Sequence, residues 1–137
     1  ALGHYRAVLT RRPEDPQAWA GLADLAGEGE RDAMESRLRG LLASRPDAAL
    51  HFALGNLLAR QARWADAQES YFAASSAAPQ NAEYAFNLAV ALDRLGKTRA
   101  AAPLYARSLA LAADSRAVQF DVAAARTRLE RIQADSP

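Results

Sequence analysis

The sequence predicts an all-α solenoid, a stack of helical hairpins, and three observations lead there. Hydrophobic residues make up 50% of the chain but aromatics only 7%, and alanine supplies much of the difference. Alanine has the best helix propensity, and the β-branched residues that favour strands are scarce. Pro13, Pro46 and Pro79 fall 33 residues apart, each after a helix-like run. Residues 48–81 laid over 82–115 then match at a period of 34: Phe52 on Phe86, Leu54 on Leu88, Leu58 on Leu92, Arg60 on Arg94, Ala67 on Ala101 and Tyr71 on Tyr105. The register runs on into Phe120 after Phe86 and Arg128 after Arg94. A repeat of that length is one supersecondary unit whose apolar face only its neighbours can bury.

Taken in order, the apolar spacing predicts helices at 1–12, 16–27, 30–44, 48–61, 64–77, 82–95, 98–112 and 116–133. Asp15, Asp47, Thr98 and Ser115 stand where N-caps are wanted. Pro103 lies a turn inside its helix, where it removes a backbone bond and predicts a bend or a late start. The last helix carries Val118, Val122, Ala125, Leu129 and Ile132 on one face and Arg126, Arg131 and Gln133 on the other. That one-sided stripe suits a cap closing the open end of a stack. The chain thus divides as a single domain over 1–137: the second helix of a truncated repeat at 1–15, repeats at 16–47, 48–81 and 82–115, and a capping helix with tail at 116–137. Opening at Ala1 in mid-element, it reads as a piece of a longer chain.

These residues resemble the tetratricopeptide repeat, a 34-residue helix–turn–helix with the pattern W-x2-L-G-x2-Y…A-x3-F…P. In 48–81, Leu54-Gly55, Leu58, Ala67, Tyr71, Ala74 and Pro79 carry the likeness. In 82–115, Leu88-Ala89, Leu92, Gly96, Ala101 and Tyr105 do, with Ala113 in place of the closing proline. Residues 16–47 keep Trp19, Leu22 and Ala23 but have a loop around Gly27 and Gly29 about two residues short. Ala1, Tyr5, Val8 and Pro13 look like the second helix of an earlier unit. The resemblance implies a right-handed superhelix of about three and a half repeats, with a concave groove lined by the first helix of each hairpin. It also implies a module that binds another protein, as an extended peptide or an amphipathic helix. Small residues, Gly55 and Ala89 against Ala67, Ala74 and Ala101, let the paired helices approach.

Composition narrows the function further. With 17 Lys plus Arg against 16 Asp plus Glu, no bulk field draws the chain to nucleic acid or lipid. All the cations but Lys97 are arginines, which with the alanine excess suits a GC-rich bacterial genome. There is no cysteine, so disulfides, thiol chemistry and zinc–thiolate sites are excluded. No stretch approaches the roughly 18–20 apolar residues of a membrane span, and no signal peptide is visible, leaving the compartment open. His4 and His51 are the only histidines, fall in different repeats and show no metal-ligand spacing. No phosphate loop, nucleophile elbow or carboxylate pair stands out from helix-surface charge. The expectation is a non-enzyme without cofactor or metal. His51, Trp19 and Trp64 are expected in packing roles.

Helical geometry singles out the groove. Leu54 and Leu58, with Leu88 and Leu92, mark the packed face, and Phe52 and Phe86 lie far round the helix from them. With Phe120 they form either an aromatic stripe along the groove or wedges between adjacent repeats. Asn56, Arg60, Asn87, Val90, Arg94 and Arg128 border that row. An apolar floor edged by arginines predicts a partner with apolar anchors and some acidic residues; ordinary solvated faces with local ion pairs are the alternative for the arginines. Some tetratricopeptide proteins hold a partner's C-terminal carboxylate with a clamp of cations and asparagines. Asn56 and Asn87 match that clamp's asparagines, but Phe52, Ala117 and Asp121 stand where its cations belong, so the clamp is not expected. The Tyr84-Ala85-Phe86-Asn87-Leu88-Ala89-Val90 helix and arginine-rich cap are similar to bacterial repeat proteins serving pilus or type II secretion assembly, which implies a periplasmic site behind a membrane anchor. The other reading is a structural module for self-association, as a homo-oligomer, or for docking within a larger chain.

Overall fold

A computed structural model describes residues 1–114 and 118–136. Among them are eight α-helices, one 3-10 turn and no strand: α1 (Leu2–Arg11), α2 (Pro16–Leu25), the turn Glu28–Glu30, α3 (Arg31–Ser44), α4 (Ala48–Ala59), α5 (Trp64–Ala77), α6 (Ala82–Arg94), α7 (Thr98–Ala113) and α8 (Val122–Asp135). The all-α solenoid expected from the period is the fold observed.

Local chemistry sets most of these boundaries. The Asp15 carboxylate accepts from the Ala18 N–H at 2.9 Å, and Pro16 opens α2 where its missing donor is harmless. Asp47 caps α4 through the Ala49 and Leu50 N–H groups, and Asn81 caps α6 through Tyr84. Gly96, at φ +79°, ends α6: its N–H bonds to the Asp93 carbonyl and that of Lys97 to Leu92. This is the paired-bond helix stop that a left-handed residue allows. One repeat earlier Ala62 makes the same turn at φ +57°, with Ala62 N–H on Ala59 and Arg63 N–H on Leu58.

Three expectations are corrected. Thr98 does not cap α7; it is the first helical residue, and Lys97 at the cap position makes no side-chain capping bond. Of the two effects expected of Pro103, a bend or a late start, the late start does not occur, because α7 runs through it from Thr98. Its ring lies exposed and the Arg99 carbonyl it leaves without a helical donor belongs to an exposed residue, so water can satisfy it. The capping helix starts at Val122, not 116, because Asp121 accepts from the Ala124 N–H and fixes the first turn there. Val118 therefore precedes the helix, and Ser115, the expected cap, lies outside the described residues. On α8, Ala125 and Ile132 are buried and Val122 and Leu129 half-buried, while Arg126, Arg131 and Gln133 face solvent.

The core follows the repeat. Ala67, Ala74, Ala89 and Ala101 are completely buried, and Leu50, Leu54, Leu57, Leu58, Leu88 and Leu92 fill the seams between them. α4 pairs tightly with α5 and α6 with α7; α5 then lies on α6, and α7 on α8. Gly55 is needed where the Tyr71 ring crosses α4: a Cβ there would sit 2.6 Å from it. Residues 16–47 pack differently, with α2 lying on α4 and sharing no close seam with α3. Counted back from the closing proline, Met34 and Leu41 occupy the places that Ala67 and Ala74 hold in the next repeat. Larger side chains thus stand where alanines let the helices approach in the next repeat. Ion pairs compensate: Arg63 joins Glu35 of α3 at 2.6 Å to Asp66 of α5 at 3.2 Å, and Arg39 also reaches Glu35. The Arg63 hydrogen bond holds the Glu35 carboxyl below its usual range.

Candidate functional site

The face built by α2, α4 and α6 carries a hollow of about 260 Å³ lined by residues from all three first helices and by Tyr5 of α1. Phe52 stands in its wall, its ring 4.6 Å from that of Tyr84 and 5.7 Å from that of Tyr71. Phe86 repeats the arrangement one unit on, stacked on Phe120 at 4.4 Å with planes only 7° apart and edge-on to Tyr105 at 6.0 Å. Each phenylalanine thus lies between its own hairpin's second helix and the next repeat. All three are half-buried. The rings pack between adjacent repeats, and of the three only Phe52 is among the residues lining the hollow. Their pairing contributes about 0.5–1.5 kcal/mol per contact beyond area burial.

The polar members of the predicted row are mostly occupied. Tyr71 donates its O–H to Asn56 at 2.7 Å, and Asn87 donates to the Glu83 carbonyl one turn back. Val90 packs against the core. Arg60 donates to the Ala23 and Asp24 carbonyls at 2.8 and 3.2 Å, at the C-terminal end of α2 where the helix dipole favours a cation. Arg94 lies over the Trp64 ring at 5.3 Å. Arg128 forms a bidentate pair with Asp93, both contacts 2.7 Å, and Tyr105 donates to the same carboxylate. That Arg128 hydrogen bond, helped by Tyr105, holds the Asp93 carboxyl below its ordinary range. The 34-residue arginine row therefore reaches backwards, each guanidinium tying its repeat to the preceding one.

What sequence reasoning missed is the acidic character of the hollow. Its lining includes Asp24 and Glu83 and no cation. Burial pushes the Asp24 carboxyl above its usual range, with Arg60 pulling the other way, and the carboxylate has no hydrogen-bond partner among the described residues. Glu83 accepts from the Gln119 N–H at 3.3 Å. Burial, with Asp47 and Glu83 adding to it, likewise raises the Tyr84 hydroxyl. These residues lie in different repeats at no common period, so only the fold gathers them.

Elsewhere, His51 is half-buried beside Leu42, Leu54 and Ser70, a packing position in which burial lowers its pKa against the pull of Asp47. Trp19 donates its indole N–H to the Pro13 carbonyl at 2.7 Å and takes the Arg37 guanidinium over its ring. Among the described residues no acidic or histidine cluster is arranged to hold a metal, and no helix is long and apolar enough to cross a membrane.

Known proteins agree with this architecture. Residues 85–119 match the tetratricopeptide repeat. Solved tetratricopeptide-like solenoids superpose on nearly the whole chain. The type III secretion translocator chaperone SycD of Yersinia enterocolitica does so with a TM-score of 0.75 at 17% identity, over 86% of this chain and 83% of that one. An alternative dimer of the same chaperone gives 0.74 at 16%, over 87% and 92%. MamA gives 0.61 at 17%, over 80% of this chain and 66% of its own. No curated protein matches the sequence significantly. At these identities the likeness establishes the tetratricopeptide fold, with the site residues left to the chain's own geometry.

Proposed function

We propose that this protein is a non-enzymatic interaction scaffold that binds an extended segment or amphipathic helix of a partner protein along the α2–α4–α6 face, in bacterial pilus or secretion-system assembly. The observation that carries the reading is the hollow where the first helices of three hairpins converge on Tyr5, Phe52 and Tyr84. Rigid aromatic side chains at the edge of a hollow are what anchor a partner segment. The scaffold role fits a fold shared with a translocator chaperone. The pathway rests on the likeness of the Tyr84–Val90 helix to pilus and type II secretion repeat proteins.

Gln17 is exposed and lines the hollow, so Gln17→Trp fills it without touching the core. Phe72 is 61% exposed on α5, away from the hollow. A partner drawn from a bacterial lysate is expected to be lost with Gln17→Trp and kept with Phe72→Ser. Retention by the first variant and loss with the second would move the site to the outer face.

A second reading, self-association, has its own observation. Leu2 and Leu25, 42% and 51% exposed, border a cleft of about 560 Å³ with Leu22 and Met34. Exposed apolar patches of this kind mark association surfaces. Sedimentation of the wild type against Leu2→Ser/Leu25→Ser separates the readings, since only a dimer built on this cleft dissociates in the variant.

A further inference from the structure

Resting on the groove reading above, we infer that the hollow between α2, α4 and α6 selects a basic side chain, an arginine or lysine of an extended partner segment. Its stem would lie on Phe52 and Tyr84 while its cation meets Asp24 and Glu83. Charge complementarity commits the site to this occupant. The lining holds two carboxylates and no cation. Arg60, the nearest guanidinium, is turned onto the Ala23 and Asp24 backbone carbonyls and leaves the Asp24 carboxylate without a hydrogen bond among the described residues. The aromatic walls add to the preference: the Phe52 and Tyr84 rings pack against each other, centroids 4.6 Å apart and tilted by 36°, and with Tyr5 they line the hollow. Such apolar ring surface accepts the methylene stem of a long side chain while its cationic head stays among polar groups. An acidic side chain would meet the like charges of Asp24 and Glu83, so the lining reverses the acidic partner that the arginine row suggests from sequence.

Asp24 also supplies a clean variant. Asp24 is exposed at the end of α2, so Asp24→Asn is expected to keep the fold, which circular dichroism of the variant checks. A loss of binding with unchanged helicity is then not unfolding.

The test uses a phage-displayed library of random peptides selected on the whole chain, followed by fluorescence anisotropy of a winning peptide. A basic residue is expected at a fixed register among the winners. Its replacement by norleucine should weaken binding about tenfold, as a half-enclosed ion pair with an aromatic face does. Asp24→Asn/Glu83→Gln should weaken the parent peptide similarly and leave the norleucine peptide unaffected. Winners that are acidic or purely apolar, yet lost with Gln17→Trp, would overturn the basic preference and leave the groove reading standing. No winners, or winners indifferent to Gln17→Trp, would overturn both.

Discussion

Single residues show how tightly the solenoid is set. Gly55 sits under the buried Tyr71 ring, and a Cβ there meets ring carbons at 2.6 Å. Gly40, on the exposed side of α3, has open space around it. Gly→Ala in a helix interior stabilises by about 0.5–1 kcal/mol where the space exists. Overpacking costs about 1–3 kcal/mol where it does not. Gly40→Ala should therefore raise the midpoint of urea unfolding and Gly55→Ala lower it, although both changes favour helix. At this scale the sequence was legible wherever the period spoke: Gly55, Ala67, Ala89 and Ala101 announce close approach by position alone. It was silent on Arg60, Arg94 and Arg128, because spacing says which face a guanidinium leaves from and nothing about the carbonyl, ring or carboxylate it reaches. Asp24 and Glu83 were missed for the same reason, being 59 residues apart, off the repeat register and brought together only by the stack.

Elements are held to one another by packing within hairpins and by polar ties between them. The clearest tie is the Asp93 carboxylate, which receives Arg128 from α8 and the Tyr105 hydroxyl from α7. Removing it strands both donors, so Asp93→Ala should cost about 1–2 kcal/mol, tempered by the part-exposed guanidinium. The loss should appear first as faster amide exchange in α8. Because the folded-state pKa lies below the ordinary 3.8, this contribution is present above that value and is lost as pH falls through the lowered one. Protection of the wild-type α8 amides, taken relative to the intrinsic exchange rate at each pH, should accordingly fall in acid below about pH 4, and Asp93→Ala should not share that step. Helix positions were readable from apolar period, caps and prolines. The exceptions have local causes: Asp121 outcompetes a start at 116, and the exposed Pro103 needs no interruption. In the repeat 16–47, Met34 and Leu41 stand in alanine places and α2 lies on α4, which a motif match sees only as a poor copy.

At the scale of the whole molecule, eight helices among the described residues carry an aromatic hollow on the α2–α4–α6 face, and two exposed leucines bordering a cleft at the α1–α2 end. The all-α architecture was legible throughout, because a repeat constrains every unit by its neighbours. The character of the groove was not, since it depends on which side chains from three repeats share one space. The central claim is that the α2–α4–α6 face is where a partner binds. The most direct measurement places a photocrosslinking benzoylphenylalanine at Gln17, inside the hollow, and in a second protein at Phe72, on α5, each irradiated in bacterial cells. The account predicts a discrete crosslinked partner from position 17 and none from position 72. A partner captured only from position 72 would contradict it.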